Sequence, residues 1–178
     1  MKYKDAIKQS MENLALDDRV RFLGYNVKYG SRAYGTLKDI PFEKCIETPL
    51  AENLMSSLAI GMSLEGYKPV LFFERQDFIL NALDSIVNHL DKIEKMSLGE
   101  FKTPVIIRAV VGGKKPIDPG IQHSQDYTEA IRKMVSFPIF DLKLVSEIIL
   151  AYDYALKINY PIMFVERRDL FEEEEYIK

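Results

Sequence analysis

The stretch TPVIIRAVV, residues 103–111, decides the fold class of this 178-residue chain. Its apolar residues are mostly β-branched and do not alternate with polar ones, which predicts a strand buried on both faces. The runs KPVLFFE at 68–74 and YPIMFVE at 160–166 have the same character. Strands of this kind favour a parallel sheet that is covered by helices on both faces.

Helical segments alternate with these strands along the sequence. The chain opens with residues at helical spacing: Tyr3, Ala6, Ile7, Ser10, Met11 and Leu14. Further helices are predicted over about 50–65, 77–96, 127–135 and 143–158, and further strands over 19–25, 43–48 and 137–141. This order predicts an α/β fold, a doubly wound and mostly parallel sheet with helices on both faces. The polar stretch RRDLFEEEEYIK at 167–178 is predicted to be a solvated tail.

Size and composition narrow the class of protein. A chain with 47% hydrophobic and 29% charged residues is predicted to form a single domain over residues 1–178. Its net charge of −3 gives no electrostatic case for binding nucleic acid or an anionic membrane. No apolar run approaches the ~20 residues of a membrane helix, and the N-terminal segment lacks a signal core, so we expect a cytoplasmic protein. The single cysteine, Cys45, is interpreted as a packing residue.

Ligands of open parallel sheets bind beyond the carboxyl ends of the strands, on the strand-to-helix loops. Those loops are predicted at 24–36, 48–52, 112–125 and just before Phe78. The sequence has no Gly-x-Gly-x-x-Gly, no Gly-Lys-Ser/Thr and no Gly-x-Ser-x-Gly motif, which excludes the commonest nucleotide and hydrolase signatures. It also lacks a cluster of Asp, Asn and Glu spaced for a metal site.

Glu52 and His123 are the candidate reactive residues. Glu52 follows a Thr-Pro turn and begins a largely apolar helix. Its carboxylate could simply interact with the helix dipole, or it could be a partly desolvated acid used in chemistry. His123 lies on a glycine-rich loop after a core strand, where it is available for proton transfer. His89 falls inside a helix and is interpreted as a surface or satisfied histidine.

Several motifs occur together in one order: IETPLAENL at 46–54, then GMSLEGYKPVLFFERQDFILNALD at 61–84, then VIIRAVVGG and GIQHSQ. This ordered set resembles the thiamine-diphosphate enzymes, most closely the pyrimidine-binding domain of the β subunit of 2-oxo-acid dehydrogenases, within the transketolase-like superfamily. The resemblance runs from about residue 3 to 170. It implies that Glu52 is the catalytic glutamate that hydrogen-bonds the aminopyrimidine ring, that Phe78 stacks on that ring, and that His123 faces the bound substrate.

The resemblance also implies a shared cofactor. The diphosphate domain and its metal motif are not found in this sequence, so a partner chain would bind the diphosphate and Mg²⁺ of thiamine diphosphate. The chain would then be one subunit, in a homodimer or a heterotetramer, of an enzyme acting on a 2-oxo acid or a ketose. Either it is a naturally minimal subunit or its C-terminal domain has been trimmed. A non-catalytic assembly or regulatory relative of the same family is the alternative.

The sequence departs from the family pattern at several positions. Leu54 and Ser57 replace glycines, Tyr25-Asn26 replaces an acidic pair, Val135-Ser136-Phe137 replaces a Pro-Gly-Leu run, and Glu74, Arg75 and Gln76 add polar groups beside the predicted pyrimidine pocket. These departures speak against a role in a pyruvate dehydrogenase complex, while leaving cofactor binding in place.

Overall fold

The computed structural model describes residues 1–114 and 118–174. The strands are β1 (Val20–Gly24), β2 (Cys45–Glu47), β3 (Lys68–Phe73), β4 (Ile106–Val111), β5 (Ile139–Leu142) and β6 (Ile162–Arg167). The α-helices are α1 (Tyr3–Leu14), α2 (Glu52–Leu64), α3 (Ile93–Met96), α4 (Thr128–Arg132) and α5 (Val145–Lys157). No helix in this described part of the chain is both long and apolar enough to cross a membrane.

The six strands form one sheet in the order β2-β1-β3-β4-β6-β5, and all five neighbouring pairs are parallel. The predicted doubly wound parallel fold is therefore confirmed. The strand register places Val70 of β3 beside Ile106 of β4, and Ile106 beside Ile162 of β6. Because β1, β3 and β4 are adjacent, the loops that follow them meet at one edge of the sheet.

Strand β4 explains why an unbroken apolar run marks the centre of such a sheet. Ile106 and Val110 point into the core beneath α1 and α5, whereas Ile107 and Ala109 point into the core beneath α2 and α4. Successive side chains of a strand alternate between faces, so a strand with a core on each side needs an apolar residue at nearly every position. Cys45 is buried in the first of these cores, which confirms its interpretation as a packing residue.

The prediction of one continuous helix over 77–96 is wrong. The segment consists of a 3₁₀ helix (Gln76–Ala82), a π-helical stretch (Asp84–Leu90) and the short α3. Side chains along it are fixed by partners elsewhere in the fold: Asp77 accepts a hydrogen bond from Gln125 N, and Ser85 donates one to the Asn53 side chain. Apolar spacing reveals neither these tertiary contacts nor the tighter first turns and wider later turns of the segment.

The solvated tail predicted after β6 is also wrong in part. A 3₁₀ turn (Arg168–Leu170) follows the strand, and Phe171 is only 1% exposed, with its ring stacked on Tyr3 at 5.9 Å between centroids. Tyr3 N donates to Glu173 O at 3.0 Å. The buried ring of Phe171 and backbone hydrogen bonds of this kind together hold the segment against α1, since burial of the ring removes a large apolar area from water. Residues 175–178 of the predicted tail lie outside the described residues.

Candidate active site

A cleft of about 300 Å³ opens at the carboxyl ends of the central strands. Its lining includes the three residues predicted for the site, Glu52, Phe78 and His123, together with Tyr25, Tyr34 and Arg75. They are contributed by four different strand-to-helix connections, the ones that follow β1, β2, β3 and β4. The structure therefore brings the predicted residues to one edge of the sheet, as the strand-end rule requires. Part of the 112–125 loop, residues 115–117, lies outside the described residues.

A larger cavity, of about 570 Å³, lies between the Leu90–Gly99 region and Ser136–Pro138. Its most buried carboxylate is that of Asp91, which accepts hydrogen bonds from Ser136 N at 2.6 Å, Ser136 Oγ at 2.8 Å and Phe137 N at 3.3 Å. Asp91 thus ties two segments of the chain together. The cleft at the strand ends is the better candidate site, because its polar groups keep unused hydrogen-bonding capacity.

Glu52 is the first residue of α2 and is only 7% exposed. Its carboxylate accepts a hydrogen bond at 3.3 Å from Asn81 Nδ2, and this is the sole hydrogen bond to that carboxylate within residues 1–114 and 118–174. An ionised carboxylate can accept about four hydrogen bonds, so most of this capacity remains available to a ligand. A buried acid with spare capacity, lying in a cleft, is a candidate for function and not merely for helix capping.

Phe78 and His123 are both half-buried and contact each other in the lining of the cleft. Their ring centroids lie 5.1 Å apart with the planes at 73°, an edge-to-face contact. His123 Nδ1 is buried and has no hydrogen-bond partner in the described part of the chain. An imidazole with a free buried nitrogen is unusual in a folded protein and is consistent with a group held for a ligand.

One wall of the cleft is formed by the loop after β1. Tyr34 donates its hydroxyl hydrogen to Glu74 O at 3.0 Å, and Glu74 accepts a hydrogen bond from Asn26 Nδ2 at 3.1 Å. Burial raises the pKa of Tyr34 to about 12, so its hydroxyl keeps its proton at neutral pH. The residues that depart from the family pattern, Asn26 and Glu74, thus contact each other and fix this wall.

Glu47, at the end of β2, holds the same loop in place. Its carboxylate accepts hydrogen bonds from the backbone N–H groups of four consecutive residues, Asn26, Val27, Lys28 and Tyr29, at 2.6, 3.1, 2.7 and 3.2 Å. Backbone N–H groups that converge in this way form an anion-binding concavity. Here the concavity is filled by the protein's own side chain, so Glu47 has a structural role.

Sequence reasoning missed the contacts that support the predicted residues. Asn81 is the partner of Glu52, and the helical spacing offered a signal, because Asn81 lies three residues after Phe78 and so on the same face of a 3₁₀ helix. The contacts of Arg75 with the 112–125 loop had no comparable signal. His89 has a largely exposed side chain 3.7 Å from Asp84 Oδ2 and does not line the cleft.

The sequence and the fold are similar to those of known proteins. The family described as "Transketolase, pyrimidine binding domain" matches residues 1–172. The chain is 32% identical over 130 residues to the pyruvate dehydrogenase E1 component subunit beta of Rickettsia conorii, which covers 70% of this chain and 39% of the relative. It is 32% identical over 136 residues to the 2-oxoisovalerate dehydrogenase subunit beta of Bacillus subtilis, covering 74% of this chain and 41% of the relative.

A solved structure described as "Split gene transketolase, inactive beta4 tetramer" superposes with a TM-score of 0.74 at 17% identity, covering 100% of this chain and 54% of that one. At this identity the likeness establishes the fold. The chain spans about two fifths of the length of the curated relatives it matches. The match of the family over nearly all of the sequence establishes that this chain belongs to the transketolase pyrimidine-binding domain family.

Proposed function

We propose that this chain is the pyrimidine-binding subunit of a split thiamine-diphosphate-dependent enzyme. It supplies Glu52, Phe78 and His123, while a partner chain binds the diphosphate and Mg²⁺ and completes the site. The observation that carries this proposal is that the three residues line one cleft, although they are separated by up to 71 positions in the sequence. Such a convergence of an acid, an aromatic ring and an imidazole at the strand ends supports an active site.

The cleft fits the aromatic end of the cofactor. Its volume of about 300 Å³ is at the lower end of the range of small-molecule sites, which suits one heterocyclic ring better than a whole cofactor. The carboxylate of Glu52 has spare capacity for a ring nitrogen, and the half-buried Phe78 ring offers a surface for stacking. Within the described residues there is no group of three or more His, Cys, Asp or Glu that could hold a metal ion.

The cofactor, when bound, supplies an electron sink for cleaving or forming a carbon–carbon bond next to a carbonyl. The carboxyl group of Glu52 would hold the ring nitrogen of the bound cofactor and share a proton with it. The carboxyl group is suited to this because it lies in a mostly apolar wall and accepts a single hydrogen bond within the described residues. His123 lies across the cleft and donates a proton to, or accepts one from, the substrate side.

The cleft holds an arginine, Arg75, beside the carboxylate side chains of Glu52 and Glu74. The guanidinium of Arg75 lines it beside His123, and no acidic side chain of residues 1–114 or 118–174 forms an ion pair with it. Arg75 Nη1 donates to backbone carbonyls, which do not neutralise its charge. A guanidinium without an ion-pair partner can bind a carboxylate directly, and from this local contact, not from the charge of the whole cleft, we infer a 2-oxo acid as the substrate.

Assembly is proposed to involve the outer face of α2. Leu54 and Leu58 are 52% and 39% exposed there, beside the half-buried Met62. Adjacent exposed leucines on one helix face are typical of a subunit contact. We infer a homodimer through α2, which joins with diphosphate-domain chains into a heterotetramer. The solved relative described as an inactive tetramer of one chain type is consistent with self-association in the absence of a partner.

The variant Glu52→Gln tests the proposal in the complex of this chain with its co-purified partner. Glutamine keeps the size and the acceptor for Asn81 but removes the shared proton. Turnover should fall by on the order of a hundredfold or more, the scale of losing a general acid–base group. Cofactor affinity should change little, because the diphosphate end dominates it. Normal turnover in the Glu52→Gln complex would refute the catalytic role and favour a non-catalytic assembly subunit.

Two further variants separate the roles within the cleft. His123→Ala should preserve cofactor activation, measured as hydrogen–deuterium exchange at the reactive carbon of thiamine diphosphate, and should slow a later step. Phe78→Ala should mainly weaken cofactor binding, by roughly 1 kcal/mol beyond the loss of buried area.

The isolated chain should bind the cofactor weakly with or without Mg²⁺, so tight Mg²⁺-dependent binding in calorimetry would contradict the division of the site between chains.

A further inference from the structure

Three consecutive side chains at the start of the 3₁₀ helix form hydrogen bonds to the segment that carries His123. Gln76, fully buried, accepts a hydrogen bond from Tyr127 N at 2.7 Å and donates one from Nε2 to Thr128 Oγ1 at 3.0 Å. Asp77 accepts one from Gln125 N at 2.9 Å. Both residues thus hold the end of the loop that follows β4, immediately after His123.

Arg75 contacts the same loop at two further points. Its Nη1 atom donates to Gly112 O at 2.6 Å, where the loop begins, and to His123 O at 3.3 Å. The guanidinium lies over the Tyr34 ring, 5.9 Å from its centroid, which limits its freedom to move away. Residues 75–77 therefore reach both the start and the end of the loop.

We propose that Arg75, Gln76 and Asp77 act together as a clamp that positions the imidazole of His123 in the cleft. Gly112 and Gly120, near the two ends of this loop, adopt φ of +77° and +83°, and glycine loses the most conformational freedom on ordering, so contacts from outside the loop are needed to fix these ends. The clamp residues follow β3, the strand beside β4, and their hydrogen bonds restrict the backbone of the loop. The clamp fixes the backbone on both sides of His123. The imidazole is thereby held in its edge-to-face contact with Phe78.

The incomplete hydrogen bonding of the Asp77 carboxylate supports a positioning role. Its Oδ2 atom is buried and has no hydrogen-bond partner within the described residues, although its Oδ1 atom is bonded to Gln125 N. Burying an unpaired carboxylate oxygen lowers stability. A residue that lowers stability while fixing a reactive loop is typical of a functional site. Neither Gln76 nor Asp77 lines the cleft, so both act through His123 and are positioning residues.

The clamp can be tested on the isolated chain by NMR, without a partner or cofactor. The chain has two histidines, so the ring C–H signals of His123 can be assigned and His89 serves as an internal reference. The ring current of Phe78 makes the His123 signals sensitive to its position. In Asp77→Ala, amide exchange at Gln125 should become faster by on the order of tenfold, and the His123 signals should move toward those of an unstacked ring. Asp77→Asn, which keeps an acceptor for Gln125 N, should restore both.

Asp91→Ala is a matched control. Asp91 is also a buried aspartate that accepts backbone hydrogen bonds, but it binds Ser136 and Phe137 at the far end of the 76–96 segment. This variant should speed exchange at Ser136 and leave the His123 ring signals unchanged. Unchanged His123 signals in Asp77→Ala, or equal shifts in Asp91→Ala, would overturn the clamp.

The functional consequence rests on the proposed function and is measured separately. In the complex with the partner, Asp77→Ala should lower kcat by on the order of tenfold at the step that requires His123, while exchange at the reactive carbon of the cofactor stays at the wild-type rate. Asp77→Asn should recover most of that kcat. If the NMR shifts occur but no variant of Glu52 or His123 affects turnover, the clamp stands and the proposed function fails. If kcat is unaffected by Asp77→Ala while His123→Ala lowers it, the positioning role is wrong.

Discussion

Two buried glutamates, Glu166 and Glu52, show how a structural acid differs from a candidate catalytic one. Glu166 is 0% exposed, and its carboxylate accepts hydrogen bonds from Arg108 Nε at 2.7 Å, from Arg108 Nη2 at 3.0 Å and from the Tyr152 hydroxyl. Glu52, with 7% exposure, receives one hydrogen bond, from Asn81 at 3.3 Å. Burial is nearly equal, but the hydrogen-bonding capacity is used in the first and largely open in the second. The degree of saturation, and not burial, separates the two roles.

Glu166→Gln should have the largest effect on stability. Burial alone would lower the pKa of Arg108, but the charge of Glu166, the neighbouring Tyr152 and the hydrogen bonds to both together raise it, so the guanidinium keeps its charge in the core. Removing one charge leaves the other uncompensated in the core, which costs about 3–5 kcal/mol of the free energy of unfolding. Urea denaturation measures this loss. The double variant Arg108→Met with Glu166→Gln should recover part of it, and a loss below about 1 kcal/mol in the single variant would contradict the comparison.

The same cluster predicts a dependence of stability on alkaline pH. Burial, together with the charge of Glu166, raises the pKa of Tyr152 well above its ordinary value. In the unfolded chain this phenol loses its proton near about pH 10, whereas in the folded chain it keeps it, so the free energy of unfolding falls as the pH rises above about 10. Between about pH 10 and 11, the wild type should lose about 1 kcal/mol more than Tyr152→Phe in urea denaturation. Parallel losses in both proteins would show that Tyr152 is not responsible.

Glu52→Gln should change the free energy of unfolding by less than about 1 kcal/mol, in contrast to the same substitution at Glu166. Loss of the favourable interaction with the dipole of α2 and relief of a poorly compensated buried charge oppose each other. Thermal and urea denaturation of the two variants, made side by side, test this directly. A destabilisation of Glu52→Gln as large as that of Glu166→Gln would mean that Glu52 is structural.

Leu54→Lys should have the smallest effect on stability, because the side chain is 52% exposed on α2. Surface substitutions of this kind stay within about 0.5 kcal/mol. If the helix that begins with Glu52 also forms the proposed subunit contact, light scattering should detect a smaller oligomer than for the wild type. Leu16→Lys, the same substitution at a residue that is 83% exposed just after α1, provides a control for the added positive charge.

Much of the fold could be predicted because the relevant signals are local. The unbroken apolar run of β4 follows from its two cores, and the positions of Glu52, Phe78 and His123 after strands predict that they meet at one edge. The helix predicted over 77–96 is wrong because its hydrogen-bonding pattern depends on distant partners such as Gln125. The burial of Phe171 escapes prediction for a similar reason, since its partner Tyr3 lies at the other end of the chain.

The sequence by itself determined the alternation of strands and helices, the parallel sheet and the family, because residue periodicity and short motifs are properties of neighbouring positions. Only the tertiary structure decided which buried carboxylate is saturated. The partner of Glu52 is 29 positions away and that of Glu166 is 58 positions away. Hydrogen bonds are directional and short-ranged, so their presence depends on how strands and loops are placed in space and not on composition or spacing.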